Sequence, residues 1–274
     1  MKFLISFLYF QEILSAQCGV GPLTFQSGIT SIPSKNYENC INYTGSLIIP
    51  NTVTKIGYQA FYNCTGFTEK LVIPNSVIDI GYQAFAECIN IKQLEFNCDK
   101  LKTISFGVFQ HCSSITGTLI LPNQITIIGL CAFDGCHELS DEISFPPNLE
   151  SIGNYAFKQC YKLKIKVNFL DSVTSIGEFF FHQCYAMKRI ITLGNNLQSI
   201  PAFSFCECSS AEGILTIPKS VTFIGEKAFK RCMKLSGLIF DSPNLINITT
   251  GAFGDCFDIR CDLTLPDSLE YLGN

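Results

Sequence analysis

The sequence contains few of the residues on which enzyme active sites depend. Its 274 residues include no tryptophan and only three histidines, and charged residues make up 15% of the chain. No phosphate-binding loop, nucleophile elbow or His-Glu-x-x-His motif occurs. Acidic residues such as Glu138, Asp141 and Glu142 are scattered over predicted turns, which is more typical of a solvated surface than of a catalytic pair. We therefore predict that the protein is not an enzyme and that it has no cofactor.

Long basic runs and long apolar runs are also missing. The formal net charge is −4, and no basic run of the kind that follows nucleic-acid phosphates is present, which argues against a nucleic-acid partner. No stretch approaches the length of about 18 uninterrupted apolar residues that a membrane-spanning helix needs. The chain is nevertheless 47% hydrophobic, too apolar for a disordered protein.

The first residues have the composition of a secretory signal peptide. A short positive start, Met1-Lys2, precedes the apolar run from Phe3 to Phe10, and small residues follow at Ser15 and Ala16. This pattern predicts a signal peptide over residues 1–16, with cleavage after Ala16, and no other transmembrane segment. The alternative is a buried N-terminal strand.

The rest of the chain repeats with a period of 24 residues. One aliphatic residue recurs at every step without insertion, at Ile32, Ile56, Ile80, Ile104, Ile128, Ile152, Ile176, Ile200, Ile224, Ile248 and Leu272. An aromatic residue stands five positions after each of the first ten, at Tyr37, Phe61, Phe85, Phe109, Phe133, Phe157, Phe181, Phe205, Phe229 and Phe253. A cysteine stands eight positions after each, at Cys40, Cys64, Cys88, Cys112, Cys136, Cys160, Cys184, Cys208, Cys232 and Cys256. These columns are called the isoleucine, aromatic and cysteine ladders below.

Each repeat divides into two parts. The apolar spacing after the ladder isoleucine predicts one face of a short helical turn, and the glycine that often follows, such as Gly57, suits a tight entry into it. After the cysteine the period changes to two, as in Leu71-Val72-Ile73, which predicts a short strand ended by Pro74. Stacked repeats bury a common interior and align their strands in a parallel sheet. The period therefore predicts one elongated repeat solenoid over residues 17–274, with about ten coils.

The repeat resembles the BspA-like type of leucine-rich repeat. Its pattern, C-x-x-L…L-x-I-P-x-x-V-x-x-I-G-x-x-A-F-x-x-C, extends over about Cys18 to Asn274. The resemblance implies a curved leucine-rich repeat superhelix of short parallel strands, with the main sheet on its concave side. It also implies, for some members, adhesion to host extracellular proteins or cells. Repeats with Leu94-Glu95-Phe96 and Leu238-Ile239-Phe240 set the strand one residue earlier, which leaves the local register open.

Ten of the fifteen cysteines form the ladder. Such a regular row suits neither a metal site nor a disulfide framework. A spacing of 24 residues produces a row, whereas zinc sites need clustered thiolates. Neighbouring ladder cysteines are within disulfide range, but their parallel side chains are poor partners. We expect reduced, buried fillers. The cysteines outside the ladder are the preferred disulfide candidates, with the pairing open: Cys18, Cys98, Cys131, Cys206 and Cys261. His111 and His137 flank ladder cysteines and are interpreted as exposed turn residues.

Strand alternation predicts which side chains face outward on the concave side. The candidate ligand-binding residues are Ile48, Lys70, Val72, Thr118, Ile120, Glu142, Ser144, Lys166, Asn168 and Thr216. Among these, Ile48, Val72 and Ile120 are expected to form an exposed aliphatic strip, which is a candidate partner site unless another segment or a second chain covers it.

The function predicted from these features is protein binding by a secreted or cell-surface protein, without catalysis. The partner implied by the resemblance is a host extracellular-matrix or cell-surface protein. The alternatives are a structural spacer or coat component, and an intracellular scaffold if the N-terminus is not a signal. Sequons at Asn42, Asn63 and Asn247 are glycosylation candidates, with Asn42 the best placed. The sequence stops in mid-repeat at Asn274, just after the eleventh ladder position, Leu272, so we expect either a longer array or a last coil covered by a partner.

Overall fold

The computed structural model describes residues 18–141, 143–164, 169, 171–188 and 191–274, and these contain two series of short strands. The first series, called the two-residue series, contains the ladder isoleucines: β1 (Ser31–Ile32), β3 (Lys55–Ile56), β5 (Asp79–Ile80), β7 (Thr103–Ile104), β9 (Ile127–Ile128), β11 (Ser151–Ile152), β12 (Ser199–Ile200), β14 (Phe223–Ile224), β16 (Asn247–Ile248) and β17 (Tyr271–Leu272). The second series is called the long-strand series, although β8 and β10 have only two residues each: β2 (Gly45–Ile48), β4 (Phe67–Ile73), β6 (Gln93–Phe96), β8 (Leu119–Ile120), β10 (Ile143–Ser144), β13 (Glu212–Ile217) and β15 (Lys234–Phe240).

Every strand pairing is parallel and joins one coil to the next. In the two-residue series Ile32 pairs with Ile56 and Ile56 with Ile80, so each ladder isoleucine meets its equivalent 24 residues later. In the long-strand series β4 lies between β2 and β6, while β8 pairs with β10 and β13 with β15. The predicted parallel solenoid of about ten coils is therefore confirmed.

The segment after each ladder isoleucine is a run of turns rather than the predicted helical turn. We number each coil from its ladder isoleucine as position 0. In all ten coils the residues at positions 3 and 7 have positive φ, for example Gln59 (49°) and Asn63 (54°). A left-handed residue every fourth position prevents an α-helix from continuing. The part of the chain that the structure describes accordingly contains no helix, and none that could span a membrane.

Backbone hydrogen bonds between coils stabilise these left-handed residues. The N–H group of Gln59 donates to the carbonyl of Tyr82 at 2.9 Å, and the N–H of Asn63 donates to the carbonyl of Ala86 at 2.9 Å. Between them, the N–H of Phe61 donates to Ala84 at 2.8 Å. The turn segments of neighbouring coils are thus joined much as strands are, which holds their outward side chains in fixed columns.

The glycine at position 1 serves close packing rather than the turn conformation predicted for it. A Cβ atom on Gly81 would lie 2.5 Å from the backbone nitrogen of Tyr58, in the preceding coil. On Gly177 it would lie 2.2 Å from the nitrogen of Asn154. Neither glycine has positive φ. The absence of a side chain therefore lets consecutive coils approach each other at this corner.

The aromatic ladder forms the centre of the core. Rings of consecutive coils stack face to face, with centroids 5.3 Å apart for Phe61 and Phe85 and interplanar angles of at most 15° through Phe157. Around Phe181 the rings tilt, by 36° towards Phe157 and by 45° towards Phe205. The cause is Phe180, which is fully buried at position 4, where most coils have alanine. Its added volume displaces the neighbouring ring.

The cysteine ladder consists of free thiols in all coils but the first, and these are buried from Cys64 to Cys232 and half-buried at Cys256. The Sγ of Cys88 donates to the carbonyl of Phe61 at 3.0 Å, and the same bond recurs down the array to Cys256. These thiols fill the interior as predicted, and each also bonds to the aromatic residue of the preceding coil.

The first coil is closed by a disulfide between Cys18 and Cys40. Cys18 is one of the predicted disulfide candidates, whose pairing was open, and its partner Cys40 is a ladder cysteine that was expected to be reduced. Cys40 has no earlier coil to supply a carbonyl, and Cys18 takes that place. Phe25 lies edge-on against Tyr37 and Phe61, with centroids 5.8 and 6.4 Å away, and so covers the end of the aromatic ladder.

Candidate functional site

Several of the groups that could perform acid–base or nucleophilic chemistry are engaged in structural roles. Burial raises the pKa of Cys112 well above its ordinary value and raises that of Cys131 to about 11. The thiols of Cys112 and Cys131 are therefore protonated at neutral pH and are poor nucleophiles. His111 was predicted to be an exposed turn residue, yet it is half-buried, with Nδ1 2.6 Å from Glu87 Oε1. No three metal-binding side chains come together within the described ranges.

The long-strand face carries most of the predicted binding residues. Ile48 and Ile120 are 70% and 71% exposed, while Val72 is half-buried. Ser144 pairs with Ile120 in the β8–β10 ladder and is also exposed. Glu142, Lys166 and Asn168 lie outside the described residues. Strand alternation thus identified the outward positions in those repeats whose strand register keeps the 24-residue period.

The predicted aliphatic strip is wrong in one respect, because Glu95 interrupts it. Val72 pairs with Glu95 in the β4–β6 ladder, so an acidic residue lies between Val72 and Ile120. This repeat sets its strand one residue earlier, which turns Glu95 outward. Glu95 forms an ion pair with Lys70, and hydrogen bonds from Lys70 and Asn97 lower its pKa. The face is therefore mixed, with isoleucines on either side of a charge pair.

Two depressions lie on this face. One, of about 450 Å³, is lined by Lys70, Gln93, Leu94, Glu95, Phe96, Asn97, Thr116, Gly117, Thr118 and Ile120. The other, of about 620 Å³, is lined by Asp171, Ile191, Thr192, Leu193, Asn195, Asn196, Ile214, Thr216, Pro218, Lys219 and Asp241. The structure therefore brings Lys70, Thr118 and Ile120 together and places Thr216 apart from them, beside Ile239, an exposed residue that the prediction missed.

A second surface, which strand alternation did not reveal, is formed by aromatic side chains on the turn segments. At position 3 the rings of Tyr155, Phe179 and Phe203 stack with centroids 4.9 and 4.5 Å apart. At position 9 the imidazole of His137 stacks on Tyr161 at 4.7 Å, and Tyr161 stacks on Tyr185 at 5.5 Å. We call these six residues the turn-face patch. All are at least partly exposed, and Tyr185 is 39% exposed.

Polar residues lie beside each of the two aromatic rows of the patch. His182 lies edge-on to Phe179 and Phe203, with ring centroids 5.5 and 6.4 Å away. Glu207 accepts hydrogen bonds from the Gln183 amide at 3.2 Å and from the Tyr185 hydroxyl at 3.3 Å. Both rows therefore lie beside ordered polar residues of the turn segments. Comparing residues at positions 3 and 9 along the sequence could have revealed it.

The three sequons differ in accessibility. Asn42 is exposed. The Asn63 side chain is half-buried, and its Nδ2 donates to Asn39 Oδ1 at 2.8 Å. Asn247 is a half-buried residue of β16, where its backbone joins two neighbouring strands.

Comparison with known proteins agrees with this geometry. The family model described as "BspA type Leucine rich repeat region (6 copies)" matches residues 15–140, 102–214 and 174–274. The crystal structure of a leucine-rich repeat protein from Bacteroides ovatus ATCC 8483 is similar with a TM-score of 0.69 at 24% identity, covering 94% of this chain and 70% of that one. A leucine-rich repeat protein from Eubacterium ventriosum ATCC 27560 has a TM-score of 0.54 at 19% identity, covering 94% and 89%. The leucine-rich repeat protein of T. pallidum has a TM-score of 0.50 at 23% identity, covering 75% and 82%. At these identities the structures show a shared fold. No curated protein matches the chain.

Proposed function

Because the chain belongs to the BspA-type leucine-rich repeat family, we propose that it is a secreted or cell-surface protein that binds a protein ligand without catalysis. Leucine-rich repeat solenoids present extended, ordered surfaces to partners. The proposed ligand is an extracellular-matrix or cell-surface protein of a host.

The observation that carries this proposal is the exposure of two isoleucines on the long-strand face. Ile48 and Ile120 are 70% and 71% exposed at positions where the fold needs no apolar residue. Exposed aliphatic residues on a rigid sheet lose little conformational entropy on binding, and the Lys70–Glu95 pair adds specificity. The remaining proposed contacts are Val72, Thr118, Ser144 and Thr216, and we extend them to Glu142, Lys166 and Asn168 from the strand pattern.

Secretion is supported by the N-terminal composition and by the Cys18–Cys40 disulfide. Residues 1–16 have the features of a signal peptide. Disulfides form and persist mainly in oxidising compartments, so the bond weighs against an intracellular scaffold. In a eukaryotic secretory pathway, Asn42 is the proposed glycosylation site, because its side chain is exposed.

A spacer or coat component is the competing proposal. A spacer needs regular coils but no local concentration of outward aromatic side chains. The turn-face patch occupies only some of the coils, which favours a binding module over a spacer.

Binding and location are tested separately. Surface labelling of intact cells tests export, and absence of label outside the cell would exclude it. Purified protein is then measured on a biosensor against immobilised collagen, laminin and fibronectin. We expect the combined Ile48→Lys and Ile120→Lys variant to lower affinity for the bound ligand about tenfold. Ile78→Lys is the matched control, because Ile78 is exposed outside the long-strand face. Equal binding by both variants would exclude the long-strand face as the contact surface.

A further inference from the structure

The aromatic residues of the turn-face patch are not required by the fold. Position 3 is occupied in the ten coils, in order, by Lys35, Gln59, Gln83, Gly107, Cys131, Tyr155, Phe179, Phe203, Lys227 and Gly251. All ten adopt the same left-handed backbone, so the coil geometry accepts lysine, glutamine or glycine equally. Aromatic residues occur at this position only in three consecutive coils, and two of these coils also carry a tyrosine at position 9, Tyr161 and Tyr185. A local concentration of this kind points to a partner.

The charge of the chain is segregated along the same axis. Residues 152–247, which contain five of the six patch residues, include eleven Lys and Arg but six Asp and Glu, a formal charge of +5. Residues 18–151 carry −5, and residues 248–274 carry −4. A chain that is acidic overall therefore has a basic middle section at the aromatic patch.

Several of these bases border the patch directly. Lys158 Nζ lies 5.4 Å from the ring centroid of Tyr155, and Lys227 Nζ lies 5.2 Å from that of Phe203. Arg231 bonds to Glu207, the carboxylate beneath Tyr185, at 3.0 Å. Five lysines of this section form no ion pair with another described residue: Lys158, Lys164, Lys188, Lys230 and Lys234. Their positive charges would attract an anionic partner.

The rings themselves favour the same kind of partner. Face-to-face stacking along the solenoid hides the electron-rich ring faces and turns the electropositive ring edges outward. Ring edges beside lysines attract carboxylates, while the hydrocarbon surface of the rings gains from burial against apolar side chains. A sulfated polysaccharide offers the charge without the apolar side chains.

We propose that the turn-face patch is a second interaction surface, and that it binds an acidic polypeptide carrying aromatic or aliphatic side chains. The patch is separate from the long-strand face, so this proposal goes beyond the function proposed above and does not depend on it. Charge complementarity steers the encounter, and the aromatic rows supply the buried contact.

The experiment uses the purified protein and four immobilised polymers: a random glutamate–tyrosine copolymer, poly-glutamate, heparin and a lysine–tyrosine copolymer. We expect binding to the glutamate–tyrosine copolymer about tenfold tighter than to poly-glutamate, no binding to the lysine–tyrosine copolymer, and weakening as salt rises. Heparin binding as tight as that of the glutamate–tyrosine copolymer would overturn the proposal in favour of a sulfated polysaccharide. Salt-sensitive self-association in sedimentation, without copolymer binding, would overturn it in favour of a second copy.

Matched variants locate the surface. We expect Tyr161→Ala with Tyr185→Ala to weaken copolymer binding about tenfold. Tyr58→Ala with Tyr82→Ala, which removes two exposed tyrosines in the acidic section, should leave binding unchanged. Charge reversal at the exposed Lys164 and Lys188 tests the contribution of the basic section and leaves the patch residues unchanged, and reversal at Lys100 and Lys102 is its control. Equal losses in patch and control variants would overturn the assignment.

Discussion

At the scale of single residues, the backbone of the neighbouring coil limits which side chains a position can accept. Gly81 faces the backbone of Tyr58, which cannot move aside as a side chain would. We expect Gly81→Ala to lower the free energy of unfolding by about 1–3 kcal/mol, through overpacking. Gly237→Ala is the matched control, because its Cβ would meet only side-chain atoms at 3.4 Å or beyond. Urea unfolding measures both, and equal losses would contradict the close-packing role of Gly81.

The rate at which a thiol is alkylated measures its burial in the cysteine ladder. At about pH 8 we expect iodoacetamide to label exposed Cys261 rapidly in the native protein. Buried ladder thiols should react slowly, since burial holds their pKa high, to about 12 for Cys64. Denaturation should make all thirteen free cysteines reactive. The ladder assignment fails if its cysteines react as fast in the native protein as Cys261 does.

Asp134 links stability to pH. Burial raises its pKa, and its Oδ1 has no hydrogen-bond partner among the described residues. A carboxyl whose pKa is raised in the folded state favours folding at low pH, and that contribution is lost as pH rises through the raised pKa. His111, His137 and Lys158 oppose the rise. We therefore expect Asp134→Asn to gain stability relative to wild type as pH rises above about 4, the ordinary pKa of an aspartate, by urea unfolding. A difference that does not change with pH would contradict this account.

At the scale of elements, the N-terminal closure is the part most dependent on one bond. The Cys18–Cys40 disulfide and Phe25 together cover the first coil. We expect Cys18→Ser to lower the free energy of unfolding by about 3 kcal/mol, from the loop that it releases. Hydrogen exchange should accelerate in residues 18–56, while Cys261→Ser should change neither. Unaltered exchange in the first coil would show that apolar packing alone closes the array.

The sequence predicted which elements pair but not how the turn segments are built. Ladder residues recur without insertion, so Ile56 could pair only with Ile32 and Ile80. The apolar spacing of the turn segment, in contrast, is shared by a helix and by consecutive turns. Its left-handed positions are mostly not glycine, as at Gln59 and Asn63, so no residue type distinguished the two. Their positive φ depends on hydrogen bonds to the next coil, which no local pattern encodes.

The candidate surfaces were predicted unevenly for a related reason. Alternation within a strand identified Ile48 and Ile120, because an outward position needs only the strand register. Glu95 was missed in the strip because its repeat shifts that register by one residue. The turn-face patch was missed because turn side chains have no alternation, and only stacking across coils brings Tyr155 and Phe179 together.

At the scale of the whole molecule, the core is a column in which each coil packs only on its neighbours, so the effect of a core substitution should remain local. Phe109 is fully buried, with stacked neighbours at 5.6 and 5.4 Å. We expect Phe109→Ala to lower the free energy of unfolding by about 3–5 kcal/mol. Hydrogen exchange should accelerate most in the adjacent coils and least at the ends. Phe257→Ala, at an exposed position, is the control. A uniform increase along the array would instead indicate a single cooperative unit.

The uninterrupted spacing of the ladders has a consequence for the gene. Each ladder isoleucine pairs with its equivalent 24 residues away, so removal or insertion of 24 codons returns each ladder residue to a neighbour of the same class. Unequal crossing-over between copies as similar as residues 56–61 and 80–85 would conserve this phase. Indels of other lengths would misalign the isoleucine, aromatic and cysteine columns at once. Recombination can therefore change the length of the array by whole coils, and with it the separation between the charged sections, while the ladder columns stay aligned.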